Sequence, residues 1–518
     1  MGIFDKLFGR QAELAPAETK RVEPVLREPR RAVRRYKAAR PDRISNFPMS
    51  LNGHGISDDV RGGLRGLVSN SRHQSQNVDY LKAFYAHLRR NVIGRKGLQI
   101  KPQARFNSGE LDTGANQKIK TAFEDWSKPG NCTVCGRWSF ADVLRITVSS
   151  SARDGNGMLR MYSGPDYGPY GFQLQILDFL QLDIDLFKEL GDGFYIRHGI
   201  EFSPLDRPVA YHFFKAPPNR VGYRGERVRV PAAEIIHLFN PYDLSTTPVG
   251  VPWTHTALRR LHKLAEFEEA AVTNAQWGAS KMGFFVKNAD PDDEPPAQRK
   301  GENGTAGDGD QNEEPEIDEI EAGLLETLPE GWDFKGFDPA FPNGDIGPFN
   351  KSMLRGAAAG LSVSYTSLAN DLEGYSYSGL RAGLGEERDE WTILQDWVSN
   401  HLCGRVADRW LDMALLTRKL DLPFSKRDKY AAISWTPRGW QSVNPKDDAV
   451  ANSTDLMNLL KSPQEICAAR GTTFEAVLDD FKEAAAMAGR RNIDLWQVLE
   501  MGASVSANTA KQPDAKED

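Results

Sequence analysis

The chain has 518 residues, 40% of them hydrophobic and 26% charged, enough for a sizeable core. At about 150 residues each, that length suggests three or four domains. A net charge of −6 excludes a chain whose whole surface advertises nucleic-acid binding, and no run reaches the roughly 18 apolar residues of a membrane span.

Residues 1–8 lack the long apolar stretch of a signal peptide, and Lys6 stands where a myristoylation motif wants Ser or Thr. Residues 9–50 read as an extended arm, because Pro16, Pro24, Pro29, Pro41 and Pro48 break helices repeatedly. Within it, Lys20–Arg43 carries ten Lys/Arg against three acids, a cationic tract in an acidic chain. The tract is either a solvated arm or a surface for neighbouring subunits or DNA phosphates, with Arg30, Arg31, Arg34, Arg35 and Lys37 as contacts.

Helical spacing then takes over. Val60, Leu64, Leu67 and Val68, followed by Val78, Leu81, Phe84, Tyr85 and Leu88, predict helix over 58–93. Ile119, Ala122, Phe123 and Trp126 line one face of a helix around 114–127, and another starts at Ser139. Over 157–240 the period changes. Met158–Tyr162, Gln173–Phe179, Phe194–Phe202, Val209–Phe214 and Arg227–Val230 are short, β-prone and bounded by Gly or Pro, with a hairpin break at Ser203–Asp206.

A long helix is predicted over 254–281. Residues 288–326 hold 14 Asp/Glu against two Lys/Arg and read as a mobile acidic loop. Asp308, Asp310, Asn312 and Glu319 approach an EF-hand spacing there, but Glu313 occupies the position that needs Gly. Leu324–Leu328 and Trp332–Phe337 read as a hairpin closed by Pro329-Glu330-Gly331. Helices are predicted at 349–369 and 379–418, joined by the polar connection Asn370–Ser378. Ser462, Pro463 and Glu465 mark a capped helix start, with helices continuing to about Met501 before a polar tail.

Residues that would carry chemistry are scarce. The sequence has no GxxxxGK[ST], HExxH or GxSxG; Gly374–Ser378 approaches the last but ends in Ser, in an interhelical connection. Cys132 and Cys135 form a lone CxxC, and Cys403 and Cys467 are isolated, so no four-ligand zinc set is expected. His237, in the apolar run Glu234–Phe239, reads as a satisfied core or interface histidine. The expectation is an α+β structural protein without catalytic, metal-binding or cofactor-binding residues.

Five stretches together resemble the lambda-type bacteriophage portal family. They are Asn91–Gly94; Gly199–Phe202 with Arg207–His212; Pro231–His237 leading to Gly250, Val251, Pro252 and Trp253; Tyr375–Arg381; and Trp435–Lys446, which contains Trp440 and Pro445. Gly379 stands where the family has Ser, and Asn444 where it has Asp. Their order and spacing cover about 58–495.

The resemblance implies a head–tail connector ring of twelve subunits at one capsid vertex, built in the host cytoplasm or encoded by a prophage. Such a ring would carry double-stranded DNA through its channel without sequence specificity. Its partners would be terminase, the major capsid protein and head-completion or tail adaptor proteins; no membrane is implied. The implied subunit has an arm at 1–57, a β-rich wing at 58–253 and a helical stem at 254–281. A small clip hairpin follows within 282–348, then a second stem helix and tunnel loop within 349–451. A helical crown at 452–503 and a tail at 504–518 complete it.

The tunnel loop would place Asp371, Glu373, Gly374, Tyr375 and Tyr377 at the channel; the plainer reading is a surface interhelical turn. Gly250, Pro252, Trp253, Arg381, Trp435, Trp440 and Pro445 are the family-motif positions. Two other classes stay open: a different head-assembly or adaptor protein, and a DNA-processing enzyme.

Overall fold

The computed structural model describes residues 56–491 apart from 219, 241–246, 280–282, 288–331, 337–345, 375 and 441–443. The basic arm, the acidic loop with its EF-hand-like spacing, and Leu324–Leu328 therefore lie outside the described residues.

Helices α1 (Ile56–Asn77) and α2 (Asp79–Leu88) run into a π turn, Arg89–Ile93, and a short strand β1 (Gln99–Pro102). Helices α3 (Thr113–Trp126) and α4 (Phe140–Asp154) follow. Ser139 caps α4 in a full capping box with Asp142, which satisfies orphan amides at its start. The strands come next: β2 (Gly157–Ser163), β3 (Phe172–Leu177), β4 (Lys188–Gly191), β5 (Phe194–Arg197), β6 (Ile200–Phe202), β7 (Pro208–Phe214), β8 (Arg227–Pro231) and β9 (Ile235–Leu238).

They form two antiparallel sheets, ordered β3-β2-β9 and β4-β5-β6-β7-β8. The run Phe194–Phe202, expected as one strand, is itself a hairpin. His198 (φ 51°) and Gly199 (φ 73°) turn it, and a Cβ on Gly199 would press against the Asp183 backbone. Strand β4 was not expected; all four of its residues are exposed, so no buried face marks it in the sequence.

The three-stranded sheet is a wall between two cores. Successive residues of a strand point to opposite faces. Leu159, Leu174 and Ile236 face the larger core, which holds α2–α4 and the helices between Leu258 and Tyr430 described below. Met158, Leu177 and Ile235 face the second core, shared with Val60, Leu64 and Val68 of α1 and Ile200, Tyr211 and Phe213 of the five-stranded sheet. Burial on both faces is why β9 reads as a nearly continuous apolar run.

Helix α5 (Leu258–Ala279) leads to β10 (Gly283–Lys287), which pairs antiparallel with β11 (Trp332–Gly336). The expected strand at Trp332 forms as β11 and pairs with β10, a ladder that spans residues 288–331; its expected partner, Leu324–Leu328, lies outside the described residues. Helix α6 (Ile346–Gly360) then packs antiparallel on α5. Thr256 donates to the Gly360 carbonyl (3.0 Å), the Arg260 guanidinium lies over Gly356 where a Cβ would sit, and the Phe267 and Phe349 rings are 4.8 Å apart.

The helix expected at 349–369 is broken. The chain leaves helix at Leu361, passes Ser362 (φ 53°), and restarts at α7 (Tyr365–Ala369) with Ser364 as its cap. Helix α8 (Tyr377–Val398) continues through a π turn, Ser399–Cys403, into α9 (Gly404–Leu416). The described residues end with α10 (Arg427–Tyr430), β12 (Ile433–Thr436), α11 (Pro445–Met457), α12 (Pro463–Ala469) and α13 (Phe474–Arg490). Strand β12 pairs with β1, Ile100 opposite Trp435.

The centre of the larger core is aromatic. Phe123, Trp126, Phe140, Phe172, Trp410 and Trp435 lie within ring-contact distance of one another, and the Trp126 indole donates to the Phe172 carbonyl at 2.9 Å. Cys132 is buried nearby with its thiol on the Trp138 carbonyl (3.1 Å), and burial pushes it up to about 12; Cys135 is exposed.

Gly439 and Gly471 meet back to back, so that a Cβ on either would strike the other's backbone. This contact seats α12 and α13 on the segment after β12. Gly439→Ala should release these helices while sparing the core. The check is limited proteolysis: cleavage between 445 and 491 should accelerate by about tenfold or more, while cleavage elsewhere keeps the parent's rate.

Candidate functional site

The connection between α7 and α8 is held from both sides. Asn370 ends α7 in the left-handed region (φ 52°), and Ser376 caps α8 by accepting from the Gly379 amide at 3.2 Å. Asp371 accepts from the Tyr365 hydroxyl (2.7 Å) and the Glu373 amide (2.9 Å), with Lys351 at 3.5 Å. These partners hold its carboxyl below the usual range, the Tyr365 hydrogen bond foremost. Glu387 on α8 is buried and accepts from Ser364 (2.6 Å) and Ser367 (2.7 Å), tying α7 to α8.

Between those clamps Leu372, Glu373 and Gly374 (φ 76°) stand exposed. Tyr375 lies outside the described residues, and Tyr377 is the first residue of α8. Arg30, Arg31, Arg34, Arg35 and Lys37 also lie outside them.

The remaining motif positions come together in two seams. In the first, Gln395 of α8 donates to the Asn91 carbonyl (2.8 Å) and the Arg438 carbonyl (3.1 Å). Asn91 Oδ1 in turn accepts from Arg438 (2.8 Å) and from the Trp440 indole (3.3 Å). Gly94 makes room for the Arg438 stem, since a Cβ there would sit 2.9 Å from Arg438 Cβ. Burial, with Arg90 and Arg388 nearby, holds Arg438 below its ordinary pKa.

Trp435 stacks into the aromatic core from the same segment. Asn444 caps α11 by accepting from the Asp447 amide and Pro445 takes the first helical position, the same work Asp would do. Arg381 reaches Asp448 at 3.0 Å.

The second seam joins α4 to the start of α5. Asn156 Oδ1 accepts from the Gly250 amide (2.9 Å), and its Nδ2 donates to the Gly250 carbonyl (2.9 Å). The same oxygen lies 2.8 Å from His237 Nε2, which must therefore carry the proton. Gly155 (φ 79°) and Gly250 approach so closely that a Cβ on either would clash with the other's backbone.

From there the Trp253 amide donates to the Ala152 carbonyl (3.0 Å), Pro252 accepts from the His255 amide (3.0 Å), and the Trp253 ring packs on Trp397. Beside this joint Arg72 of α1 holds Asp154 (2.7 Å) and Asp178 (2.8 Å). Burial opposes ionisation of Asp154, yet Arg153 and Arg72 outweigh it and keep the carboxyl below its usual range.

Sequence reasoning missed Gly155, Asn156, Gln395, Glu387 and Arg72. Gly155-Asn156-Gly157 looks like any turn tripeptide, and the others are ordinary polar positions on helices. Their partners are far away in sequence.

Compared with known proteins, the chain matches the family described as phage portal protein, lambda family, over residues 49–395. It is 33% identical to the probable portal protein of Halomonas phage phiHAP-1, over 99% of this chain and 96% of that one. It is 27% identical to portal protein B of Escherichia phage lambda over 28% of this chain and 27% of that protein. Among solved structures, the neck of an empty GTA particle aligns with 82% of this chain and 96% of that chain, at 14% identity and TM-score 0.39.

Two outcomes follow from the second seam. Asn156→Ala leaves the Gly250 amide and carbonyl and the His237 ring without partners, so it should cost about 2–4 kcal/mol, read as a lower urea midpoint. Burial holds His237 at about 3, against an ordinary value near 6.5. The unfolded chain therefore binds the extra proton between those values, and stability falls as pH drops from about 6.5 toward 3. His237→Gln should flatten that slope by about one proton, roughly 1.4 kcal/mol per pH unit, in urea titrations at pH 4.5, 5.5 and 7.5.

Proposed function

The chain belongs to the lambda family of phage portal proteins, and from that premise we propose how its parts serve the channel. A portal protein forms a channel at one vertex of the phage head, and the family is structural. What carries the reading is the family match over residues 49–395 together with 33% identity along nearly the whole chain.

In this reading twelve copies close a ring that passes double-stranded DNA during packaging, retains it and releases it at ejection. Terminase docks on the ring during packaging, and head-completion proteins dock afterwards; the major capsid protein surrounds it. The subunit itself catalyses nothing, and assembly takes place in the host cytoplasm. Helices α5 and α6 are the stem. Their antiparallel pairing, with the β10–β11 ladder following α5 and preceding α6, supports a rod whose far end carries the clip. The two β-sheets with α1–α4 make the wing, and α11–α13 the crown.

The Asp371–Tyr377 connection is the tunnel loop. Its anchors support this: Glu387 and Asp371 fix both ends while Leu372–Gly374 stay exposed. Acidic Asp371 and Glu373 repel phosphate, so DNA touches the loop weakly and without sequence preference. The arm residues Arg30–Lys37 contact neighbouring subunits or DNA phosphates.

The first check is the ring. Mass photometry and negative-stain images of the full chain should show a closed ring with a through-channel, and a monomer or dimer across salt and concentration would overturn the reading. The second concerns the loop. Tyr375→Ala with Tyr377→Ala should leave the ring intact but lower the yield of filled heads; parental packaging and retention would make the loop an ordinary turn.

A further inference from the structure

Helices α1 to α10 each bury part of one face within the chain; α11, α12 and α13 have no buried residue. Helices of 13, 7 and 17 residues are marginal by themselves in water and depend on a covered apolar face. Such faces are present. Val450, Met457 and Leu460 recur at i, i+7 and i+10 and are 62%, 81% and 70% exposed. On α13, Leu478 and Phe481 are half exposed, and beyond them the same side narrows to Ala484, Ala485 and Ala488.

Between α11 and α12, Leu459 is in the left-handed region (φ 57°) and 90% exposed. That backbone conformation is unfavourable for any residue with a Cβ. Here it closes α11 as a Schellman-type cap, the Leu460 amide on the Asp455 carbonyl at 2.8 Å and the Leu459 amide on the Leu456 carbonyl at 3.2 Å, and it holds an apolar side chain that no described residue covers out in water.

We propose that the Met457–Leu460 turn of one copy packs into the Leu478–Ala488 face of α13 on the next copy around the ring. This rests on the portal reading, which supplies the occupant: a head-to-tail ring brings two different faces of the same chain together at every interface. The two faces differ in shape as such an interface requires. One is a protruding cluster of large side chains; the other begins with Leu478 and Phe481 and becomes a shallow alanine surface that admits them.

The test uses the full-length chain. Leu459→Ser with Leu460→Ser should raise the concentration at which rings dissociate by more than about tenfold in mass photometry. The subunit's far-UV circular dichroism and urea midpoint should be unchanged, because neither leucine is buried within the chain. In a Cys135→Ser, Cys467→Ser background, Leu459→Cys with Ala485→Cys should yield a ladder of covalent multimers on oxidation.

Rings as tight as the parent's in the double-serine variant would overturn the inference while leaving the portal reading standing. Weakened rings without a ladder would overturn the pairing with α13. A parent chain that forms no ring would overturn both.

Discussion

The structure depends on a joint too tight for side chains. Helix α4 ends, β2 begins, and the segment entering α5 crosses at the same point, so Gly155 and Gly250 touch backbone to backbone. Asn156 spans the crossing with its amide, serving both the donor and the acceptor of Gly250 while its oxygen also takes the His237 proton. A side-chain amide presents an N–H donor and a carbonyl acceptor side by side in one plane, so it can replace a missing strand neighbour. Because β2 is the middle strand of the wall between the two cores, an error at this joint would shift both. The direction of α5 follows from it as well, through Trp253 on the Ala152 carbonyl.

Charge is managed locally. Asp154 is buried, and Arg72 and Arg153 pay for its desolvation, so the ion cluster gives register between α1 and α4 more than net stability. Glu387, also buried, is satisfied by two serine hydroxyls instead of a cation.

The Asn91 seam closes the chain on itself. Asn91 and Arg438 are 347 positions apart, yet they share hydrogen bonds through Gln395. A contact of that span restricts little until the intervening chain is folded. The seam therefore reports completion of the larger core instead of initiating it. Beyond it the protein changes character: the helices after Asn444 bury none of their described residues, and their apolar side chains stay exposed.

Much of this was legible in the sequence. Periodicity located the helices of the larger core, and five β-prone runs bounded by Gly and Pro covered six of the strands. The Ser462-Pro463-Glu465 start carries its capping box as read, and His237 is the satisfied histidine its apolar run implied. All of these are local signals, set by a few neighbouring residues. The joined stretches that resemble portal proteins were likewise visible as residues. That Asn91, Gln395, Arg438 and Trp440 form one seam was not, nor that β11 pairs back across the acidic loop to β10.

The break after α6 was hidden too. Leu361–Ser364 carries no Gly or Pro to mark a break, and the restart is held by the Ser364 cap, by Ser364 and Ser367 on Glu387, and by burial of Leu361 and Leu368. By itself the sequence determined the elements, because helix and strand periods, caps and turn glycines act over a few residues. Which elements meet, and therefore which polar side chains find partners and which apolar faces stay exposed, was decided by the tertiary structure. Those contacts join residues hundreds of positions apart, and no local pattern encodes them.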